Sequence, residues 1–271
     1  MRSGIRSQTF RIVFLFSFLF FLGGTSSSLV IAQTKDSSHI QQVQPFEVKA
    51  IPVALADPAS NGEIIKDHFR FSWPSYIVPV MVTGYGIAAY YPKVVVIDRY
   101  QAYDYFWKNY HDFHTTADNY LQFAPAAATF SLSLCGVKGK HSLGEQIILY
   151  AGSMLVSEGI ATGLKYTTKI LRPDNSAYNS FPSGHTTSAF TGAEMMNQEY
   201  KGSSFLYSVF GYGTATATGV LRMMNNRHWL SDVMVGAGIG MISTKLVYAV
   251  YPVLKRKYLQ RKARRTFSPG S

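Results

Sequence analysis

Three short stretches carry side chains able to grip a phosphate dianion and transfer its phosphorus: Lys165-x6-Arg172-Pro173, Pro182-Ser183-Gly184-His185 and Arg222-x5-His228-x3-Asp232. Lys165 and Arg172 stand close to two helical turns apart, so one helix would carry both cations on one face and stop just before Pro173. Pro182 to His185 breaks the chain and opens a new helix. There Ser183 is a natural N-cap, Gly184 lets backbone amides approach an anion closely, and the helix N-terminus adds donors and partial positive charge. His228 and Asp232, four apart, place a carboxylate on one imidazole nitrogen and leave the other as an unprotonated nucleophile. Taken singly, each stretch has a bland reading as snorkelling cations, a helix cap or a surface bridge. Their convergence on one ligand favours phosphate chemistry.

The elements that must position these residues read as helices. Apolar stretches run over 76–91, 120–137, 147–164, 205–221 and 233–254, without hairpin signals, regular short alternation or internal repeats. The expected fold class is therefore all-α, a helical bundle with several transmembrane or core helices. Glu158 and Lys245 interrupt two stretches, and charges in mid-span are costly unless they face a protein interior. Pro79, Gly84 and Gly86 weaken the 76–91 stretch, which is expected to lie on or in the interface rather than span. Between 100 and 120, Tyr103, Tyr105, Phe106, Trp107, Tyr110 and Phe113 alternate with Asp104, Lys108, His111 and His114. Core packing is expected for most of these rings, with a headgroup-level or site-roofing role as the alternative.

Composition narrows the class. The 271 residues suffice for one sizeable domain, and a charged fraction of only 15% leans toward a membrane-linked helical protein. A formal charge of +11 suits an anionic partner. Cys135 is the single cysteine, which excludes an intrachain disulfide and a thiolate metal cluster. Arg2, Arg6 and Arg11 precede an apolar run from Ile12 to Gly24 and small residues up to Ala32, so residues 1–32 read as a secretory leader, or as an uncleaved anchor. Residues 33–44 read as a linker, 45–254 as the catalytic domain and 255–271 as a basic tail. Lys138, Lys140 and the basic residues from Lys255 to Arg265 mark the cytoplasmic side, with the three stretches on the exported, periplasmic side.

The order and spacing of KYTTKILRP, FPSGHT and RMMNNRHWLSD resemble the type 2 phosphatidic acid phosphatase superfamily, which also holds bacterial class A acid phosphatases and vanadium-dependent haloperoxidases. The resemblance covers residues 165–232. It implies that Lys165, Arg172 and Arg222 bind the phosphate oxygens with help from Ser183 and the Gly184 amide. It further implies that His228 attacks phosphorus, Asp232 orients it, and His185 protonates the leaving oxygen. No metal or other cofactor is called for, because the cations neutralise the transferring group. Leu221 departs from the serine usual before the third arginine, and Asn226 and Arg227 beside the nucleophile are placed to compensate. The expected partner is an anionic phosphorylated lipid at a membrane, such as lipid A, an undecaprenyl (pyro)phosphate or phosphatidylglycerol phosphate, and not nucleic acid. The alternatives are a soluble acid phosphatase or phosphotransferase, a haloperoxidase holding vanadate, or a non-enzymatic phosphate-binding module.

Overall fold

A computed structural model of the chain describes residues 72–266. The expected leader, the linker and the first part of the expected domain lie outside these. Eight helices and no strand occur among the described residues: α1 (Pro74–Ala88), α2 (Arg99–Tyr110), α3 (Ala117–Leu121), α4 (Ala124–Leu134), α5 (Leu143–Thr168), α6 (Gly184–Tyr200), α7 (Phe205–Met224) and α8 (Leu230–Thr266). The all-α expectation holds. The predicted boundary at 254 does not mark a break, since α8 runs through it.

Helix α6 is the axis of the bundle, contacted by α4, α5, α7 and α8. From Thr186 to Tyr200 every residue but Gln198 is buried, although the helix is rich in Thr, Ser, Glu and Asn. Its hydroxyls survive burial by turning back on their own helix: Thr187 Oγ1 donates to Ser183 O and Thr191 Oγ1 to Thr187 O, each at 2.9 Å. Small residues bring α8 close. A Cβ at Gly236 would lie 2.7 Å from Ser183 O and one at Gly240 2.5 Å from Thr187 O, so these two glycines, one turn apart, set the α6–α8 distance. Gly86 acts likewise for α1, because a Cβ there would lie 2.8 Å from Met234 Cβ on α8. It is a packing point, not the weakness expected of it.

Lys245 and Glu158, the charges in otherwise apolar stretches, both face protein. Lys245 Nζ donates to the fully buried Glu194 at 2.7 Å, and Glu158 accepts from Ser188 Oγ at 2.8 Å. The expected 120–137 span is corrected: it divides into α3 and the 11-residue α4. At 1.5 Å per residue α4 is about 16 Å long, well short of a bilayer's hydrocarbon core of about 30 Å. Two described helices, α5 and Leu230–Lys262 of α8, are long and apolar enough to cross a membrane. Only 22% of the apolar window of α5 is buried in protein, against 67% for α8.

Candidate active site

The site lies at one end of the bundle, where α6 and α8 begin and α5 and α7 finish. Helix α5 ends earlier than the Lys165–Arg172 spacing predicts. It stops at Thr168, and Lys169 takes a left-handed conformation with φ 47°. Arg172 therefore reaches the site from a loop whose turn is closed by Arg172 N to Ala177 O and Asn175 N to Arg172 O, both 3.0 Å. Lys165 stitches that loop to α5, donating from Nζ to Asn179 O at 2.9 Å and Pro182 O at 2.6 Å. Its Cε lies 4.0 Å from where a Gly184 Cβ would stand, which keeps the ammonium beside the first turn of α6.

Ser183 is the N-cap of α6, as expected, and is fully buried. Its hydroxyl accepts from Thr186 Oγ1 at 2.9 Å, and its amide donates to Asp232 O at 3.0 Å, tying the second stretch to the third. The close approach allowed by Gly236 is what makes this bond attainable.

His228 sits just before α8, not on it. The expected direct His–Asp bond is correspondingly corrected: Nδ1 lies 2.8 Å from Ser180 O and 3.5 Å from Asp232 Oδ2. Asp232, in the first turn of α8, spends its carboxylate on Ser180 Oγ at 2.5 Å, Trp229 N at 3.0 Å and Ser231 Oγ at 3.2 Å. A carbonyl can only accept, so it fixes the proton on Nδ1 and leaves the lone pair on Nε2. The predicted tautomer is kept through a different partner.

Arg222, in the last turn of α7, donates from Nη1 to Asp118 Oδ2 at 2.7 Å in a pair almost wholly withdrawn from solvent. Asn225 Nδ2 also reaches Asp118, at 3.2 Å. His185 Nε2 lies 2.8 Å from Asn119 Oδ1. Sequence reasoning missed Ser180, Asp118 and Asn119. The only pattern at α3, Thr115-x-x-Asp118, resembles a helix-start signal and says nothing of a buried arginine partner.

Arg172 and Arg222 act on Lys165 and Arg222 on Arg172, while Arg222 acts on both imidazoles, Arg172 on His185 and Lys165 on His228, so the three stretches share one electrostatic neighbourhood. Burial, reinforced by Arg222, pushes His185 down to about 4. Burial also pushes His228 down to about 4, against the opposing pull of Asp232. Both rings are thus neutral at pH 7. Arg172 Nε and Arg222 Nε are enclosed and lack a hydrogen-bond partner, which is unusual for buried guanidinium groups and fits an anion acceptor.

Arg172, His185 and Arg222 line a cavity of about 1250 Å³, together with Asp118, Asn119 and Arg227. Tyr103, Trp107, Tyr110, His111 and His114 form part of its wall. The aromatic patch was expected to pack mostly in the core; Phe106 and Tyr105 do so, Phe106 also reaching the cavity, whereas Tyr103, Trp107 and Tyr110 take the alternative place around the site. His228, 3% exposed, is beside this lining and not part of it. Lys165 faces a separate cavity of about 350 Å³ with Lys169, Tyr166 and Tyr178. Arg227, expected beside the nucleophile, pairs with Asp174 at 3.0 Å on the cavity rim.

Residues 146–256, which hold all three stretches, match the model of the PAP2 superfamily. The chain carries a PAP2 superfamily domain. A lipid A 1-phosphatase of Porphyromonas gingivalis is 41% identical over 145 residues, 53% of this chain and 33% of that protein. The chain thus spans about a third of the length of this relative. The crystal structure of Aquifex aeolicus LpxE resembles the chain with a TM-score of 0.42 at 20% identity, over 54% of this chain and 93% of that one. Asp118 and Asn119 lie outside the matched segment, and line the same cavity as Arg172, His185 and Arg222.

Proposed function

We propose that the protein is a phosphatase that removes a phosphate from a membrane lipid, with lipid A the leading candidate. The observation that carries this reading is the gathering of Lys165, Arg172, Arg222, the α6 N-terminus and two neutral histidines in one neighbourhood, with two buried guanidinium N–H groups left without protein acceptors. The PAP2 domain and the similarity to a lipid A 1-phosphatase support the same class.

In the reaction, Arg172, Arg222, Lys165 and the Gly184 amide hold the phosphate oxygens. His228 Nε2 donates its lone pair to phosphorus as the phosphorus–oxygen bond to the lipid breaks, and His185, which takes up a proton once the phosphate dianion is bound beside it, passes that proton to the leaving oxygen. Water then attacks the phosphohistidine, giving its proton to His185 and releasing inorganic phosphate with His228 restored. Asp232 and Ser180 O hold the His228 ring throughout.

The lipid assignment draws on α5, whose Ile147, Ile148, Leu155 and Ile160 are exposed along a helix long enough to cross a bilayer. Lys140 and Lys255 stand at the bundle end opposite the site: Lys140 N donates to Glu199 O near the end of α6, and Lys255 Nζ to Glu145 at the start of α5. With basic residues inside, the site faces the periplasm. The test is phosphate release by the purified protein in detergent from lipid A, other phosphorylated lipids and soluble phosphate esters. Release from lipid A well above that from soluble esters is expected; equal release from all would favour a non-specific acid phosphatase.

A further inference from the structure

Helix α3 contributes a contact that the three stretches do not predict, and it falls on the proposed proton donor. Its position is fixed from two sides. Thr115 N donates to Asn225 Oδ1 while Asn225 Nδ2 donates to Thr115 O, both at 2.9 Å, and Asp118 is clamped to Arg222. These contacts lock α3 to the end of α7. The next residue, Asn119, lines the cavity and places Oδ1 2.8 Å from His185 Nε2.

On the phosphatase reading above, we propose that Asn119 is a positioning residue for the general acid: its carboxamide oxygen receives the Nε2–H of His185 and so turns Nδ1 toward the leaving oxygen. An amide oxygen is an acceptor only, so this contact selects the tautomer protonated on Nε2 and leaves Nδ1 to exchange the proton used in the reaction. The groups facing His185 otherwise oppose its charging. Arg222 from α7, Arg172 from the loop after α5 and His228 disfavour the imidazolium, and Asp118 from α3 favours it but is itself bonded to Arg222. Lys165 and Glu158 of α5 stand near Gly184, the residue before the ring, and Asp232 of α8 is committed to Ser180 and Trp229. The bound phosphate dianion supplies the missing negative charge, so that Nδ1 takes up a second proton while Nε2–H stays bonded to the Asn119 oxygen. When the ester bond breaks, the proton on Nδ1 passes to the departing oxygen, and His185 returns to the neutral, Nε2-protonated ring.

Asn119→Leu and Asn119→Asp in the full chain test this, with kcat measured against pH on an alkyl phosphate dispersed in detergent and on a nitrophenyl phosphate. Proton donation matters for the alkoxide and little for the nitrophenolate. Asn119→Leu is therefore expected to lower kcat about 30-fold on the alkyl ester, with much less effect on the nitrophenyl ester and on either KM. Asn119→Asp, which adds a negative charge at the same distance, is expected to move the alkaline limb of kcat to higher pH. Equal losses on both esters, or an alkaline limb that stays put in Asn119→Asp, would overturn the assignment. His228→Ala run alongside separates the two readings: an inactive His228→Ala with normal Asn119 variants sinks only the role of Asn119, whereas an active His228→Ala sinks the phosphatase mechanism itself.

Discussion

His228 Nδ1 is bonded to the backbone carbonyl of Ser180 at 2.8 Å, while Asp232 Oδ2 stands off at 3.5 Å and holds Ser180 by its hydroxyl. The carboxylate therefore acts on the imidazole partly through a second residue. Asn in place of Asp232 keeps an acceptor but removes the charge that, in the proposed mechanism, offsets a cationic phosphohistidine. Asp232→Asn is expected to lower kcat about a hundredfold without unfolding the protein. A loss as complete as that of His228→Ala would show that Ser180 O does not hold the ring by itself.

The two neutral histidines fix the sign of the pH response. Both are held down at about 4 by burial, below the ordinary imidazole value. Protons thus bind the unfolded chain first, and the stability these rings confer is complete above about pH 6.5 and lost as pH falls through 4. The thermal midpoint of the detergent-solubilised protein should drop across that window. His228 stays unprotonated down to about pH 4, so the acid limb of kcat/KM on an ester already ionised there should fall near that value. A limb near 6.5 would contradict the burial of His228.

Glu194 and Lys245 form a buried pair in the middle of the bundle, with Tyr212 OH and Gln198 also bonded to Glu194. Removing one partner strands the other charge. Lys245→Met alone should cost about 3–5 kcal/mol of stability, and adding Glu194→Gln should recover much of it. Additive losses in an unfolding titration would mean that the two charges are not coupled.

Gly240 and Gly236 set how closely α8 approaches the first turns of α6. Alanine at Gly240 drives a Cβ into Thr187 O, so Gly240→Ala should destabilise by about 1–3 kcal/mol and reduce activity by moving Ser183 away from Asp232. Unchanged unfolding and unchanged phosphate release would show that the helices separate without consequence for the site.

The helical architecture and the helix cap at Ser183 were legible because both rest on local signals. Apolar stretches report helices, and Pro182-Ser183-Gly184 reports a cap whatever the rest of the chain does. What was hidden depends on distant geometry. The Lys165–Arg172 spacing fits a continuous helix, yet Lys169 turns left-handed and hands Arg172 to a loop. The i, i+4 relation of His228 and Asp232 survives as proximity, but a carbonyl 48 residues upstream takes the hydrogen bond. Asp118 and Asn119 were invisible since their partners stand 104 and 66 residues away. The cavity-facing tyrosines and Trp107 were ambiguous because an aromatic ring packs a core and walls a pocket equally well.

The most direct test of phosphoryl transfer through His228 is to quench the protein in alkali during turnover on its best lipid phosphate and map acid-labile phosphate on its peptides. The account predicts phosphate on the peptide containing His228, absent in His228→Ala together with all release of inorganic phosphate. His228→Ala that releases phosphate at the wild-type rate would contradict it.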